Sequence, residues 1–443
     1  MNSDVGTSER VDVCVVGGGL AGLATAIVAA EGGRDVVLVE RCTYPRPKVC
    51  GGCLNGASVD VLRRLGVLPA VRDAGATTLR RTVVRSAKRR VDLAAGGGLG
   101  VTRSTLDTIL AERARSVGVR VHTGATAGVV AANVGDRFRE VVFGDHRVQA
   151  ALVVAADGLG RSSHARASSI RHHTFGDSRV GIGVTFAGTT PDGPDAVTMC
   201  TGEGGYVGVA AAERGTVSVA AAVDPDFLRS AGSPRAALVQ LLSGVGLQWD
   251  ETLPDSGWLA TPRLTRRSPV PAAFRLVEVG DAAGYVEPFT GEGMAWALTC
   301  GEALGREIGD GDFDPTRVVR RWPGRVRRIV SRRKAVCRAV AWTLRRPMAV
   351  DLALAVLSGV PWLANAVMLG SANADAPGHR DPLGQAGGTG DAGATLLFGS
   401  PEARPPNDRR TPDQTRTAEI SPSGRHVERP RSPLEPATNA PPQ

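Results

Sequence analysis

Val11-Asp12-Val13-Cys14-Val15-Val16-Gly17-Gly18-Gly19-Leu20-Ala21-Gly22 is a short apolar run that breaks into a G-x-G-x-x-G turn. A helical run follows from Leu20 to about Glu31, and a second apolar strand, Val36 to Val39, ends at Glu40. Strand, helix and strand in this order make a βαβ unit, which predicts a parallel sheet and an α/β fold of Rossmann type. Each glycine has a physical reason. Gly17 permits the tight turn, Gly19 lets a pyrophosphate approach the backbone, and Gly22 lets helix and strand pack closely. The helix N-terminus then faces the phosphates. Glu40, with Arg41 beside it, comes 18 residues after Gly22 and offers a carboxylate to the ribose hydroxyls. A second glycine run, Gly96-Gly97-Gly98-Leu99-Gly100, has Val101 where the third glycine would stand and no apolar strand leading straight into it. It predicts a hairpin turn, so the chain is expected to hold one dinucleotide.

Further along, Ser104 is placed to cap a helix running to about Ser116, and Val119 to Val121 reads as the next strand. Between about Ala167 and Thr261 the pattern changes to short alternating segments: Val180 to Phe186, Gly205 to Ala210 and Thr216 to Val223. These predict an antiparallel or mixed sheet inserted between two stretches of the nucleotide-binding domain. Helical periodicity returns from Gly293 to about Glu307. The expected organisation is a discontinuous nucleotide-binding domain over 1–78, 99–165 and 268–314, and a substrate domain over 79–98 and 166–267. C-terminal helices over 315–370 and a disordered tail over 371–443 complete it. The tail holds twelve of the 28 prolines and loses apolar periodicity apart from Leu396-Leu397-Phe398, a docking-motif candidate.

The formal net charge is +9, but the excess is local. Twelve arginines and lysines and no acid lie between Pro315 and Arg346, so the remainder of the chain is slightly acidic. That distribution disfavours a nucleic-acid-binding surface. It fits either a solvated helix face or a cationic helix lying against anionic lipid, with the apolar stretch Met348 to Leu369 dipping below it. At roughly 22 residues that stretch is just long enough to span a bilayer. Asp351 and the central Pro361 make a packed hairpin or an interfacial helix the better expectation. Seven scattered cysteines argue against a disulfide framework, and no signal peptide precedes the first strand. A cytoplasmic location is expected, with peripheral contact to the inner face of the membrane through 315–370 as the alternative.

Two later motifs identify the dinucleotide by resemblance. Val153-Val154-Ala155-Ala156-Asp157-Gly158-Leu159-Gly160-Arg161-Ser162 resembles the strand and D-G motif of the p-hydroxybenzoate-hydroxylase-like flavoproteins, with Arg161 in the serine position. Leu276-Val277-Glu278-Val279-Gly280-Asp281-Ala282-Ala283-Gly284 leads through Pro288 to Gly291-Glu292-Gly293-Met294. It is similar to the G-D-A-A-G…P…G-x-G motif of that superfamily. Arg103-Ser104-Thr105-Leu106-Asp107 matches its R-x-x-L-D helix start. The resemblance spans most of residues 10 to 305 and implies FAD as the cofactor. It also implies residue roles. Asp281, after Gly280, accepts from the ribityl chain. The helix opening at Gly291 to Met294 aims its N–H groups at the flavin N1/C2 edge, and Pro288 stiffens the bend above the ring. Arg103 contacts phosphates or ribityl, and Asp157 supports the pyrophosphate side or the nicotinamide approach.

Lys48-Val49-Cys50-Gly51-Gly52-Cys53 resembles the K-x-C-G-G stretch of the geranylgeranyl-reductase-like branch. Gly205-Tyr206-Val207-Gly208 is similar to its G-Y-x-W segment, with Gly208 where the tryptophan stands. Flavoprotein oxidoreductases of bacterial polyketide pathways are the closer resemblance. The expected activity is therefore NAD(P)H-dependent hydroxylation of a hydrophobic aromatic or polyketide-type molecule by O2 through a flavin C4a-hydroperoxide. Reduction of prenyl or polyene double bonds is the alternative, and an FAD-bound accessory protein without catalysis is a third reading. Catalytic candidates are few. Cys50 offers a thiol beside the ring and Tyr206 an amphipathic pocket wall. Cys50 and Cys53 lack the second ligand pair a zinc site requires, so no metal is expected. His172-His173 offers a general base only if the fold turns it toward the substrate; otherwise adjacent loop histidines are solvated.

Overall fold

The computed structural model describes residues 8–160, 163–164, 167–287, 289 and 291–359. Pro288, Arg161, the tail with its Leu396-Leu397-Phe398 motif, and the second half of the apolar stretch, including Pro361, lie outside the described residues.

The opening motif folds as its residues dictate. Ser8–Val16 is the central strand of a sheet ordered Ala272–Ala273, Leu276–Glu278, His146–Ala155, Ser8–Val16, Val36–Glu40 and Arg120–Thr123, parallel from the second strand of that order onward. Val36–Glu40 is buried at all five positions, as a parallel strand covered on both faces should be. The helices, in chain order, are α1 (Leu20–Glu31), α2 (Gly56–Arg64), α3 (Leu68–Asp73), α4 (Arg103–Ser116), α5 (Pro225–Ala231), α6 (Pro234–Ser243), α7 (Glu292–Gly309), α8 (Pro315–Thr343) and α9 (Pro347–Gly359). α1, α4 and α7 stack on one face of the parallel sheet through Leu23, Ile27, Leu106, Leu110, Leu298 and Leu304.

A second, mixed sheet runs Leu259–Arg263, Val180–Ala187, Thr216–Val223, Gly205–Ala211, Ala196–Gly202, Thr77–Arg85, Arg90–Gly100 and Cys53–Leu54. Its pairings are antiparallel except where Ala196–Gly202 joins Thr77–Arg85. α6 covers its outer face with Leu238, Leu241 and Leu242.

Two local expectations are corrected. The glycines from 96 to 100 form no hairpin turn; they lie inside the strand Arg90–Gly100, and the connection falls at 86–89. The reason is long-range: a Cβ at Gly98 would sit 2.6 Å from the Leu54 carbonyl oxygen, and one at Gly100 would sit 1.9 Å from that of Ala211. Three chain segments approach each other there, and only glycine leaves the room. The α4 cap is Thr102, not Ser104. The Thr102 hydroxyl accepts from the Thr105 N–H at 3.2 Å and donates to buried Glu213, a partner that exposed capping positions lack.

Candidate active site

Two helices begin at glycines whose position gives no side-chain cap, and both open on one cavity. α1 starts after Gly19 and α7 after Gly291, and each glycine lines the same space of about 500 Å³. Uncapped N–H groups at a helix start form a ready site for negative charge.

The glycines of the first turn are required one by one. Gly17 holds φ +109°, in the left-handed region, and a Cβ there would lie 2.5 Å from the Ala156 backbone. A Cβ at Gly22 would lie 2.0 Å from the Gly17 carbonyl oxygen. Gly19 is different: its nearest neighbours are only the cationic tips of Arg103 and Arg46 at 3.8 Å and Lys48 at 4.0 Å. Three cations thus converge over an open backbone. Burial and the Arg103 guanidinium push the Lys48 ammonium below the usual lysine range, so an anion set among these groups relieves an electrostatic cost. This cluster fits a pyrophosphate, and the residues present therefore fit FAD.

Of the other motif residues, Arg103, Asp281, Gly293 and Met294 line the same space, whereas Glu40, Asp157 and Gly280 are not part of its lining. Glu40 is buried at the end of its strand and accepts from the N–H of Gly18 at 2.7 Å and of Cys42 at 3.1 Å, holding the turn. Arg41 is exposed just beyond it and does not line the cavity. Arg103 makes a two-pronged ion pair with buried Asp107, 2.8 Å in each contact, which fixes the guanidinium beside Gly19. Asp157 accepts from the Ser163 N–H at 3.0 Å through one oxygen, while its buried Oδ1 has no partner among the described residues. Gly280 adopts φ +66° where its absent Cβ would strike Ala21 at 2.7 Å, and Asp281 follows it on the cavity wall. Gly293 and Met294 complete the wall from α7.

Beyond this cradle the cavity becomes apolar. Cys50 and Cys53 line the junction as free thiols, and burial pushes the Cys53 thiol up to about 12. Tyr206 is buried on the far wall and packs edge-on against Phe289 at 5.2 Å between ring centres. Burial, with Glu287 nearby, keeps its phenol protonated far above the usual range. Gly208 also faces the space, at the position where the resembling family carries tryptophan.

His172-His173 does not reach the substrate side. His173 is exposed in a short strand, and His172 turns inward, its Nε2 2.9 Å from Glu278 Oε1. His164 Nε2 meets the same oxygen at 2.7 Å, and Ser268 donates to the other carboxylate oxygen at 2.9 Å. These are hydrogen-bond distances, and the trio ties the loop after Asp157 to the strand preceding Gly280. Burial alone would raise Glu278; the hydrogen bond with His164 and the close His172 imidazole hold it below the usual glutamate range.

Several residues of the candidate site escaped the sequence reading. Arg46 had no motif to announce it. Lys48 was legible only as part of a subfamily signature. Val350, Ala353, Leu354 and Leu357 of α9 close the cavity from the chain's far end.

Fold and cradle define a flavoprotein of the FAD-dependent oxidoreductase class. The chain belongs to the family described as FAD binding domain, whose model matches residues 10–309. Menaquinone reductase of Mycolicibacterium smegmatis is 29% identical over 369 residues, covering 77% of this chain and 86% of that protein. Digeranylgeranylglycerophospholipid reductase 2 of Methanothermobacter thermautotrophicus is 28% identical over 309 residues, covering 67% and 77%. Among solved structures, Pseudomonas aeruginosa PqsL in complex with 2-aminobenzoylacetate shares the fold at a TM-score of 0.66 and 17% identity, covering 77% of this chain and 98% of that one.

Proposed function

We propose that this oxidoreductase reduces a carbon–carbon double bond in a long apolar chain of the isoprenoid class, with NAD(P)H as electron donor. One observation carries the reading. Past the cofactor cradle, the cavity is walled by aliphatic groups such as Val84, Leu93, Met199, Leu264, Leu344 and Leu354, with few polar atoms. Such a lining recognises shape and length and offers little to orient a polar substrate. Menaquinone and the digeranylgeranyl lipid, named for the two reductases above, both carry isoprenoid chains.

FAD, when bound, supplies the hydride; the protein supplies the rest. Arg46, Lys48 and Arg103 would hold the FAD pyrophosphate at the start of α1, and the uncapped start of α7 would offer its N–H groups to the same cofactor. The aliphatic walls hold the double bond and exclude water. The remaining proton comes from a side chain at the junction of cradle and apolar space, and Cys50 Sγ holds it there. Tyr206, with its neutral hydroxyl, shapes the opposite wall.

Hydroxylation of an aromatic or polyketide-type molecule with O2 is the second reading. The rings Tyr206, Tyr285 and Phe289 on one part of the wall favour it. The two separate cleanly by product mass. The FAD-loaded enzyme is given NADH or NADPH with menaquinone or a digeranylgeranyl lipid, under air and without oxygen. Gain of two hydrogens on the isoprenoid chain in both conditions, persisting after any quinol is reoxidised, supports reduction. Gain of one oxygen atom, dependent on air, supports hydroxylation and sinks the first reading.

A further inference from the structure

α9 is apolar on two sides. Val350, Ala353, Leu354 and Leu357 face the cavity, whereas Met348, Leu352 and Val356, spaced four residues apart, face outward with exposures of 86%, 67% and 44%. The helix is held in this orientation: Asp351 accepts from the Ser86 hydroxyl at 2.9 Å and lies 3.4 Å from the Lys88 ammonium. An outward apolar stripe on an anchored helix needs a partner.

The preceding helix indicates which. Some α8 arginines are paired within the protein: Arg325 with Glu307, Arg333 with Glu292 and, just past its end, Arg345 with Asp224. Arg320, Arg321, Arg327, Arg328, Arg332 and Arg338 are exposed and, among the described residues, meet no acid. Arg320 and Arg327, and Arg321 and Arg328, are seven residues apart and Arg328 and Arg332 four; at about 100° per residue all six fall within about 140° of the helix circumference, so they share one side. At the end of α8, Trp342 is 57% exposed with the Arg346 guanidinium 3.9 Å over its ring, and Val336 is exposed close by. A cationic stripe grading through a tryptophan into an aliphatic stripe matches a negatively charged bilayer surface. A second copy of the chain would bring the same six positive charges against these, so self-association is opposed by charge. Among the described residues no helix is long and apolar enough to cross a membrane.

We propose that α8 and α9 dock on an anionic lipid bilayer, with the outer stripe of α9 among the acyl chains and its inner face forming the wall past which a bilayer-borne substrate reaches the cavity. The proposal rests on the reading of the cavity as a site for a long apolar chain. Docking is measured without substrate, so the two fail separately.

The test uses the full FAD-loaded chain and sedimentation with vesicles rich in phosphatidylglycerol or made of phosphatidylcholine alone. Binding is expected to the first at low salt, and to be weaker by at least about tenfold on the second or at high salt. Two variants, R327Q/R328Q/R332Q/R338Q and M348S/L352S/V356S, change only exposed side chains. Each is expected to lose vesicle affinity by about tenfold or more while flavin absorbance and melting temperature stay as in the parent. The proposal is overturned if the parent chain stays in solution with phosphatidylglycerol vesicles, if both variants bind as it does, or if M348S/L352S/V356S instead dissolves a dimer. A chain that docks but reduces no isoprenoid upholds docking and removes the functional reading alone.

Discussion

Gly301 of α7 lies directly against Ala21 of α1: a Cβ on Gly301 would stand 2.4 Å from the Ala21 carbonyl oxygen. Gly305 and Gly309 continue the same close approach one and two turns later, against Val28 and Gly32. The Thr25 hydroxyl seals the contact by donating to the carbonyl oxygens of Ala21 at 2.8 Å and Gly301 at 3.1 Å. This contact sets the distance between the two helix starts that face the cavity. In an exposed helix Gly→Ala stabilises by about 1 kcal/mol. Here overpacking dominates, and Gly301→Ala is expected to destabilise by about 1–3 kcal/mol and to lower flavin retention. Urea unfolding with flavin release decides it; a more stable variant would show that the helices part freely.

The cation cluster over Gly19 predicts the outcome at Lys48. Removing the ammonium in Lys48→Met takes one charge-assisted contact from the pyrophosphate, worth about 1.5–3 kcal/mol. FAD affinity should therefore fall by about tenfold or more, with folding of the flavin-free chain unchanged or slightly improved, because the partly desolvated cation is gone. Flavin titration by fluorescence quenching checks it. Unchanged affinity would place the phosphates elsewhere.

What was legible in the sequence follows from the range of the constraint. The G-x-G-x-x-G turn, α1 and the strand ending at Glu40 answer to neighbours within a few turns of chain, and residues 20–31 form the helix their spacing predicts. The strands Gly205–Ala211 and Thr216–Val223 likewise show their alternation locally. Gly98 and Gly100 looked like a turn because nothing nearby reveals that Leu54 and Ala211 press on them. His172 was readable as a loop histidine, since its partner Glu278 lies over a hundred residues away. α9 was readable as apolar, but composition cannot say that one side walls the site and the other is exposed.

Gly208 faces the cavity where the resembling family carries a large ring, and Met199 fills part of that space, its sulfur 2.9 Å from a Cβ placed there. Because Met199 is flexible, Gly208→Leu is expected to fold. It shortens the apolar space, so turnover of long isoprenoid substrates should drop by about tenfold while short ones are spared. Substrate-length profiles with equal flavin loading test this. An unaltered profile would put the substrate on another path through the cavity.

The buried Glu278 trio predicts an acid limit. Its carboxylate is held below the ordinary glutamate value, so the stability it contributes is complete above the unfolded-state value of about 4.3 and is lost as pH falls below it. Glu278→Gln keeps one acceptor oxygen but removes the negative charge facing His164 and His172 and replaces the oxygen that accepts from Ser268 with a donor, and should cost about 1–3 kcal/mol near neutrality. Its stability should also fall less steeply than the parent's below about pH 4.3, although Asp192 and Glu302, held low by arginines despite burial, keep part of the slope. Parallel pH–melting curves for parent and variant would show this, and curves that stay parallel into acid would remove the trio from the titration.

Cys50 and Cys53 share the junction of cradle and apolar space, yet they should differ in effect. The Cys53 thiol is pushed up to about 12 by burial and donates to the Gly51 carbonyl oxygen at 3.1 Å, so it is occupied structurally and Cys53→Ala should alter stability more than turnover. Among the described residues Cys50 only accepts a long contact from the Gly52 N–H at 3.5 Å and donates to no protein group, so its proton is the one we assign to the substrate. Cys50→Ala should therefore slow double-bond reduction by about a hundredfold, the lower end of what a placed proton donor contributes. Cys50→Ser, which keeps a proton at that position, should recover part of the loss. The solvent isotope effect on kcat separates this role from packing: it should change in Cys50→Ala and stay at the parent's value in Cys53→Ala. Equal turnover in the two alanine variants would leave Tyr206 as the side chain to test next, through Tyr206→Phe.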